Sequence, residues 1–376
     1  MVNMKISDVV VKRYWDNQRP DMKHADGYEV ITVEVQTDAG ISGTGFLSLP
    51  VFSHGHIGDV IATLLKRNLR NVILGQNPLH TEDVWERMYS ATWKLGGKGI
   101  FRKCIGTIDI ALWDIKGKAF NVPVSDLLGG HKQHVKTYAN VAHQLPPDEL
   151  AAKALEYVEQ GHTALKIRCG TTAVSLEEAD ERVRSVREAI GPDIRLMVDV
   201  NGSWDAETAI QQLKKWEKHN LYWLEEPVPY EDTAGYARVK QFAGSTYIAG
   251  GEQHEGLNEF RHLIEQNALD IAQPDAATTG GITDWMKIYN FATMHNIPVA
   301  PWNLQQVHIH MAVGLPNVQW IEYFTPDRGF FQNRLFDGPA LKEVRKEDGI
   351  YFEAPDVTGL GMELNEAVAE ETLLDE

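Results

Sequence analysis

The chain has 376 residues, 43% of them hydrophobic and 24% charged, as expected for a globular protein large enough for a barrel with an appended domain. Its 53 acidic and 36 basic residues give a formal charge of −17, which disfavours nucleic acid or an anionic membrane as a partner because both attract positive surfaces. Two cysteines provide neither a disulfide framework nor a zinc pattern. Residues 1–11 alternate like a strand and are not expected to form a signal peptide, and no apolar run approaches the length of a membrane span. We therefore expect a cytoplasmic protein.

Residues 1–130 predict a small α+β capping domain. Alternating apolar residues over 4–11, 28–37 and 42–47 are typical of antiparallel strands, and the apolar spacing then becomes helical. Strands followed by helices favour a two-layer α+β unit.

From residue 131 the pattern alternates between strand and helix. Counting from Val135, eight short apolar runs end in turns, and amphipathic segments separate most of them. This pattern predicts an α/β fold, a modified (β/α)7β TIM-type barrel over residues 131–330, with its chemistry at the C-terminal ends of the strands. Residues 331–376 are expected to form an irregular segment that returns to the cap.

Three predicted barrel strands end in an acid. Asp199, Glu225 and Glu252 follow one another at 26 and 27 positions, about the length of one βα unit. Equal spacing places the three carboxylates at the same end of neighbouring strands, where they repel unless a cation lies between them. An all-oxygen site suits a hard dication, so we predict one Mg²⁺ per subunit. Each acid could instead cap a helix, but that alternative does not explain three acids in phase.

The second barrel strand ends in Leu165-Lys166-Ile167-Arg168, and period-two alternation directs Lys166 and Arg168 toward the pocket. A dication close to Lys166 favours its neutral form, which suits a general base. The alternative is a lysine that only pairs structurally with the carboxylates.

Together these motifs resemble the enolase superfamily, mandelate racemase subgroup, over nearly the whole chain. The remaining motifs that carry the resemblance are the cap–barrel junction Leu127–Gly130, Lys166-Ile167-Arg168 where the family has Lys-x-Lys, Gln273-Pro274-Asp275 with Gly280-Gly281-Ile282, and Trp320-Ile321-Glu322. The resemblance implies that Asp199, Glu225 and Glu252 bind the metal, that Lys166 is the base, and that a protonated Glu322 donates to a substrate carboxylate. It also implies a small carboxylate substrate and a homo-oligomer.

One position departs from the family pattern. The seventh strand of such proteins ends in Pro-His, whose histidine pairs with the sixth-strand aspartate, whereas this chain has Pro301-Trp302. Tryptophan does not usefully accept or release a proton, so Asp275 lacks that partner and one face of the substrate lacks a base. His308 and His310 fall in the next predicted helix and are not assigned this role.

Loss of one base disfavours racemisation, which needs acid–base groups on both faces, whereas β-elimination needs one base and some acid. We therefore predict a Mg²⁺-dependent lyase that dehydrates an aldonate or aldarate to a 2-keto-3-deoxy acid by α-proton abstraction, enediolate stabilisation and loss of water. Two alternatives stay open: a cycloisomerase or epimerase of a sugar-acid derivative, and a metal-binding homologue without enolisation activity. The expected substrate contacts are Arg168, His24, His54, His254, Asp275 and Trp302, although each loop histidine could simply be solvated.

Overall fold

A computed structural model describes residues 4–17, 25–52, 57–141, 145–170, 174–339 and 341–374. Within these ranges the chain forms a three-stranded antiparallel sheet and a separate, mostly parallel sheet, each covered by helices. No helix in this described part is long and apolar enough to cross a membrane.

The described strands are β1 (Ile6–Asp16), β2 (Ala25–Thr37), β3 (Ser42–Phe52), β4 (His134–Asn140), β5 (Ala164–Arg168), β6 (Arg195–Asp199), β7 (Leu221–Glu225), β8 (Tyr247–Gly250), β9 (Ile271–Ala272), β10 (Trp320–Tyr323), β11 (Glu343–Lys346) and β12 (Gly349–Glu353). The α-helices are α1 (Ile57–Thr63), α2 (Arg70–Ile73), α3 (Thr81–Thr92), α4 (Ile100–Phe120), α5 (Val124–Leu128), α6 (Pro147–Glu159), α7 (Leu176–Ile190), α8 (Ala206–Trp216), α9 (Thr233–Gln241), α10 (Gly256–Glu265), α11 (Ala276–Thr279), α12 (Ile282–Met294), α13 (Gln305–Gly314), α14 (Phe331–Leu335) and α15 (Glu366–Thr372). A π-helical segment, Leu64–Leu69, joins α1 to α2.

The cap consists of the sheet β1-β2-β3 with α4 lying across β3. Two glycines of β3 allow the helix to approach closely, since a Cβ at Gly43 would lie 2.1 Å from the carbonyl oxygen of Ala111. A Cβ at Gly45 would lie 2.0 Å from that of Thr107. Both distances are well below van der Waals contact, so a side chain at either position would push the sheet away from α4.

Helix α4 also joins the cap to the barrel. A Cβ at Gly106 would lie 2.3 Å from the carbonyl oxygen of Ala277 in α11, so the two helices touch backbone to backbone. One turn further along, the buried carboxylate of Asp109 accepts from the hydroxyl of Thr283 at 2.7 Å and from its backbone N–H at 2.8 Å. These contacts hold the N-terminal half of α4 over the carboxyl end of the barrel.

The barrel closes through eight strand positions. Strands β4 to β9 pair in sequence order and supply six positions. Val299, which bridges to Ala272 on one side and to Val318 on the other, marks the seventh, and β10, which pairs with β4, is the eighth. The inward-facing residues of these positions form one apolar cluster: Tyr138, Ala164, Met197, Trp223, Ala249, Ile271, Ala300 and Trp320. The predicted TIM-type barrel with its α+β cap is confirmed, and the filled interior leaves the carboxyl ends of the strands as the place for a site.

The C-terminal segment differs from the expectation of an irregular tail. Strands β11 and β12 form an antiparallel hairpin, and β12 pairs with β4 of the barrel. The turn residues are Glu347 and Asp348, and Gly349, the first residue of β12, completes an Asp-Gly hairpin signal and takes a φ of +133° that disfavours other residues. Other parts of the segment do contact the cap, through an ion pair of Arg334 with Asp16 and a bridge of Leu373 to Tyr14. The division into residues 1–130, 131–330 and 331–376 stays a prediction.

Candidate active site

Three buried carboxylates lie together at the carboxyl ends of neighbouring strands. Asp199 and Glu225 end β6 and β7 and are paired in register, and Glu252 follows β8. One oxygen from each of the three lies within 4.8 Å of the others. The equal sequence spacing therefore corresponds to one cluster, because parallel strands in register bring their ends to the same edge.

Neighbouring donors hold two of these acids in place. Arg168 Nη2 donates to Asp199 Oδ2 at 3.1 Å, and the Asn201 N–H donates to Oδ1 at 2.8 Å. Glu225 Oε2 accepts from the indole of Trp223 at 3.1 Å and from the amide of Gln273 at 2.8 Å. Oriented acceptors of this kind are what a metal site requires of its surroundings.

The cluster carries more negative charge than its neighbours offset. Glu252 Oε2 and the Oε1 of the adjacent Glu226 are buried without a hydrogen-bond partner. Burial, reinforced by the other carboxylates, raises the pKa of Glu225 to about 7, that of Glu226 to about 8 and that of Glu252 well above its ordinary value. Orphaned, mutually repelling carboxylate oxygens fit a hard dication.

Lys166 lies beside this cluster and is almost fully buried. Its Nζ is 2.6 Å from Glu225 Oε1 and 2.8 Å from Glu322 Oε1, and it lies over the ring of Tyr138. Burial opposes the ammonium form, but the surrounding acidic groups, Glu225 and Glu322 foremost, together outweigh burial and raise the pKa of Lys166 well above its ordinary value. Without a metal, the carboxylates therefore favour the charged lysine. A dication bound to Glu225 would offset the negative charge of that carboxylate and so favour the neutral form that a base needs.

Glu322, at the end of the eighth barrel position, is surrounded by donors. Besides Lys166, the amide of Asn140 donates to its Oε1 at 2.7 Å and the backbone N–H of Asn303 donates to its Oε2 at 3.3 Å. In this arrangement Glu322 acts as an acceptor, and its donation to a substrate carboxylate stays a prediction.

A cavity of about 700 Å³ lies between the cap and the barrel ends. Four of the predicted site residues line it: Arg168, Glu252, Asp275 and Trp302. Glu322 lies behind this wall, bonded to Asn140, which lines the cavity, and Lys166 is buried beside Glu322. Residues of β2 and β3, including Tyr28 and Leu49, form the opposite wall, so the cap closes the site from above.

Asp275 and His308 lie near each other without forming a proton relay. Asp275 Oδ1 accepts from the Thr278 N–H at 2.7 Å and caps α11, whereas its Oδ2 is 4.0 Å from His308 Nε2, too far for a hydrogen bond. That nitrogen instead accepts from the backbone N–H of Ala276 at 3.1 Å, and burial lowers the pKa of His308 to about 3. His308 is therefore a neutral packing residue.

His254 lies among aromatic rings, with the centroids of Tyr230 and Phe260 at 5.8 and 5.9 Å. Burial lowers its pKa to about 4, and it is not among the described residues that line the cavity. His24, His54 and their neighbour His56 lie outside the described residues, so their expected contacts with substrate stay predictions.

Four residues of the site carry no assignment from the sequence. Glu226 takes a left-handed φ of +45° and lines the cavity, and its only sequence signal is adjacency to Glu225. Asn140 and Gln273 each donate to a site carboxylate that is distant in sequence, and Lys103 reaches the cavity from the cap. Only the folded arrangement brings these groups together.

Comparison with known proteins identifies the class. Residues 6–129 match the family described as mandelate racemase / muconate lactonizing enzyme, N-terminal domain, and residues 149–368 match the family described as enolase C-terminal domain-like. The chain belongs to the enolase superfamily.

Individual relatives are named for reactions of sugar acids or of their lactones. L-talarate/galactarate dehydratase of Salmonella typhimurium is 33% identical over 90% of this chain and 81% of its own length. D-galactarolactone cycloisomerase of Agrobacterium fabrum is 32% identical over 89% of both chains. The crystal structure of L-talarate dehydratase from Polaromonas sp. JS666, complexed with Mg and L-glucarate, superposes with a TM-score of 0.85 at 28% identity and covers 99% of this chain and 98% of that chain.

Proposed function

We propose that this protein is a Mg²⁺-dependent hydro-lyase that dehydrates an aldonate or aldarate to a 2-keto-3-deoxy acid. The observation that carries the proposal is the placement of Lys166 Nζ at 2.6 Å from one carboxylate of the buried three-acid cluster, beside a cavity closed by the cap. The similarity to dehydratases of sugar acids supports the reaction type.

Asp199, Glu225 and Glu252 are the residues that would hold one Mg²⁺ per subunit, as their clustered and partly orphaned oxygens suggest. When bound, a dication withdraws electron density from a substrate carboxylate, which acidifies the adjacent C–H and stabilises the developing negative charge. The Mg complex of the Polaromonas relative supports this choice of metal.

The side chains of this protein do the rest. Lys166 takes the α-proton from the β5 side, and Glu322, fixed by Asn140 and the backbone of Asn303, orients Lys166 and meets the substrate carboxylate. Arg168 keeps its charge at all working pH values, so it holds Asp199 and the substrate in position and does not transfer protons. The cap forms one wall of the cavity, and the lower polarity of an enclosed site strengthens these electrostatic contacts.

The test is a panel of aldonates and aldarates incubated with Mg²⁺, read by 2-keto acid formation and by α-proton exchange in D2O. Lys166→Met should lose both signals by about 10²-fold or more, the usual worth of a general base. Lys215→Met, which removes an exposed lysine paired with Asp180, is the matched control and should behave as wild type. Exchange by Lys166→Met at the wild-type rate would assign the base elsewhere. No exchange by the wild type on any member would favour a homologue without enolisation activity.

A second candidate is cycloisomerisation of a sugar-acid lactone on the same site, supported by the cycloisomerase relative. Mass spectrometry separates the two reactions, because dehydration removes one water whereas isomerisation conserves mass. Epimerisation would also conserve mass and would be seen as a change of configuration. A homo-oligomer stays a prediction, to be measured by sedimentation.

A further inference from the structure

The proposed reaction leaves the departing hydroxyl without a proton donor. Lys166 is on β5, the second of the eight barrel positions, and β9 is the sixth. Positions two and six of eight are opposite each other, so the residues that follow β9 form a far wall that faces Lys166 across the barrel. Trp302, which lines this far wall, has no proton to release usefully. His308, behind the wall, is neutral and its Nε2 is already occupied as an acceptor.

The cap supplies a cation to this wall. Lys103, in the first turn of α4, lines the cavity, and its Nζ donates to Thr278 Oγ1 in α11 at 2.9 Å. Among the cavity-lining residues that the structure describes, the other cation is Arg168, which is paired with Asp199 and cannot release a proton. Lys103 is therefore the cavity cation that is both able to give up a proton and separate from the carboxylate cluster.

Backbone contacts fix the position of Lys103. Lys103, Gly106 and Asp109 follow one another at intervals of three, so they share one face of α4. The contact of Gly106 with the backbone of Ala277 and the two hydrogen bonds of Asp109 to Thr283 hold this face against the barrel. The lysine therefore extends from a helix that cannot retreat from the cavity without breaking buried contacts.

A carboxylate stands behind the ammonium group. Burial raises the pKa of Asp275, and the charge of Lys103 opposes this effect, so the two groups interact across the wall. Thr278 links them, because its hydroxyl accepts from Lys103 and its N–H donates to Asp275 Oδ1. Asp275 Oδ2 is buried without a hydrogen-bond partner. Lys103 and Asp275 therefore contact the same residue of this wall, Thr278, from its two sides.

We propose that Lys103 is the general acid of the dehydration, an assignment that rests on the proposed function. Lys166 takes the α-proton, and the electron pair of that C–H bond forms the new double bond to the β-carbon. As the β-carbon–oxygen bond breaks, an N–H proton of the Lys103 ammonium transfers to the departing oxygen, which leaves as water. Lys103 is left as a neutral amine, Lys166 as an ammonium, and the enol product becomes the 2-keto-3-deoxy acid. Since the two lysines face each other across the barrel, the proton and the hydroxyl leave from opposite faces.

The experiment compares two leaving groups in the protein with Mg²⁺. The substrates are the sugar acid that the panel identifies and its 3-deoxy-3-fluoro analogue, because fluoride leaves without being protonated. Lys103→Met and Lys103→Arg should lower kcat for water elimination by about 10²–10⁴-fold, while fluoride release falls by less than about tenfold. The arginine variant is decisive, since it keeps the cation and the donor to Thr278 but cannot release the proton.

Lys116→Met is the matched control, a lysine of the same helix that lies over the ring of Trp113 outside the cavity wall, and it should eliminate both groups as wild type does. Circular dichroism verifies that every variant is folded. Three results would overturn the assignment and leave Lys103 as a binding residue at most. They are a wild-type kcat in Lys103→Arg, an equal loss of water and fluoride elimination, and a change confined to KM. A wild type that neither exchanges the α-proton nor forms a 2-keto acid would instead remove the proposed function, and this result is seen before any Lys103 variant is measured.

Discussion

Occupation of the acid cluster by Mg²⁺ should stabilise the fold by a predictable amount. At an effective dielectric constant of about 20, two unit charges at 4.8 Å, the upper limit of these oxygen separations, repel by about 3.5 kcal/mol, so the three pairs of the fully ionised cluster repel by at least about 10 kcal/mol. Lys166 and Arg168 each pair with one of the acids, but Glu252 Oε2 has no partner. A dication removes this repulsion only in the folded state, where the three acids meet, so it binds the folded protein in preference.

The expected size follows from mass action. At a hundredfold excess of Mg²⁺ over its Kd, the free energy of unfolding rises by about 2.7 kcal/mol. An unfolding entropy of about 2.1 cal/mol/K per residue gives about 0.8 kcal/mol/K for 376 residues, so Tm should rise by about 3 °C.

The assay is thermal denaturation with Mg²⁺ and with chelator, on the wild type and on Glu252→Gln. Without metal the variant should be at least as stable as wild type, because it loses a repelling buried carboxylate, and Mg²⁺ should no longer raise its Tm. The control is Glu207→Gln, at an exposed pair with Arg238, which should keep the wild-type shift. An equal Mg²⁺ shift in Glu252→Gln would mean that the cation binds elsewhere. Full activity of the wild type in chelator would refute the metal mechanism.

Two further predictions concern stereochemistry and pH. In the proposed mechanism Lys166 is the base on one face, Trp302 cannot act on the other, and Lys103 acts there as an acid and not as a base. The wild type should therefore exchange the α-proton of one configuration about 10²-fold or more faster than that of its epimer, measured by NMR in D2O, and comparable rates for both would contradict the one-face model. Burial raises the pKa of Asp109 from 3.8 to about 7, so within that window the folded protein holds a proton that the unfolded chain has lost. Relative to Asp109→Asn, the free energy of unfolding of the wild type should therefore fall by about 1.4 kcal/mol per pH unit as pH rises through the window, and parallel urea-denaturation profiles for the two proteins would disprove this.

The local pattern of the sequence was enough to predict the barrel and to group its acids. Asp199, Glu225 and Glu252 recur at the length of a βα unit, and parallel strands in register convert that period into proximity. Alternation likewise predicted that Lys166 points inward, where it pairs with Glu225. The hairpin of β11 and β12 carried a local signal too, Asp348-Gly349, which the expectation of an irregular tail overlooked.

The contacts that complete the walls of the cavity were decided by tertiary structure alone. Lys103 and Thr278 are 175 residues apart, and Asn140 and Glu322 are 182 apart, so no periodicity within one element relates either pair. Lys103 reaches the cavity because Gly106 lets α4 touch the backbone of Ala277 in α11, which follows β9. This contact joins the cap to the barrel, and the two have different local sequence patterns. Strand periodicity specifies which residues of one element share a face, whereas the meeting of cap and barrel depends on shape and on buried hydrogen bonds that exist only once both have folded.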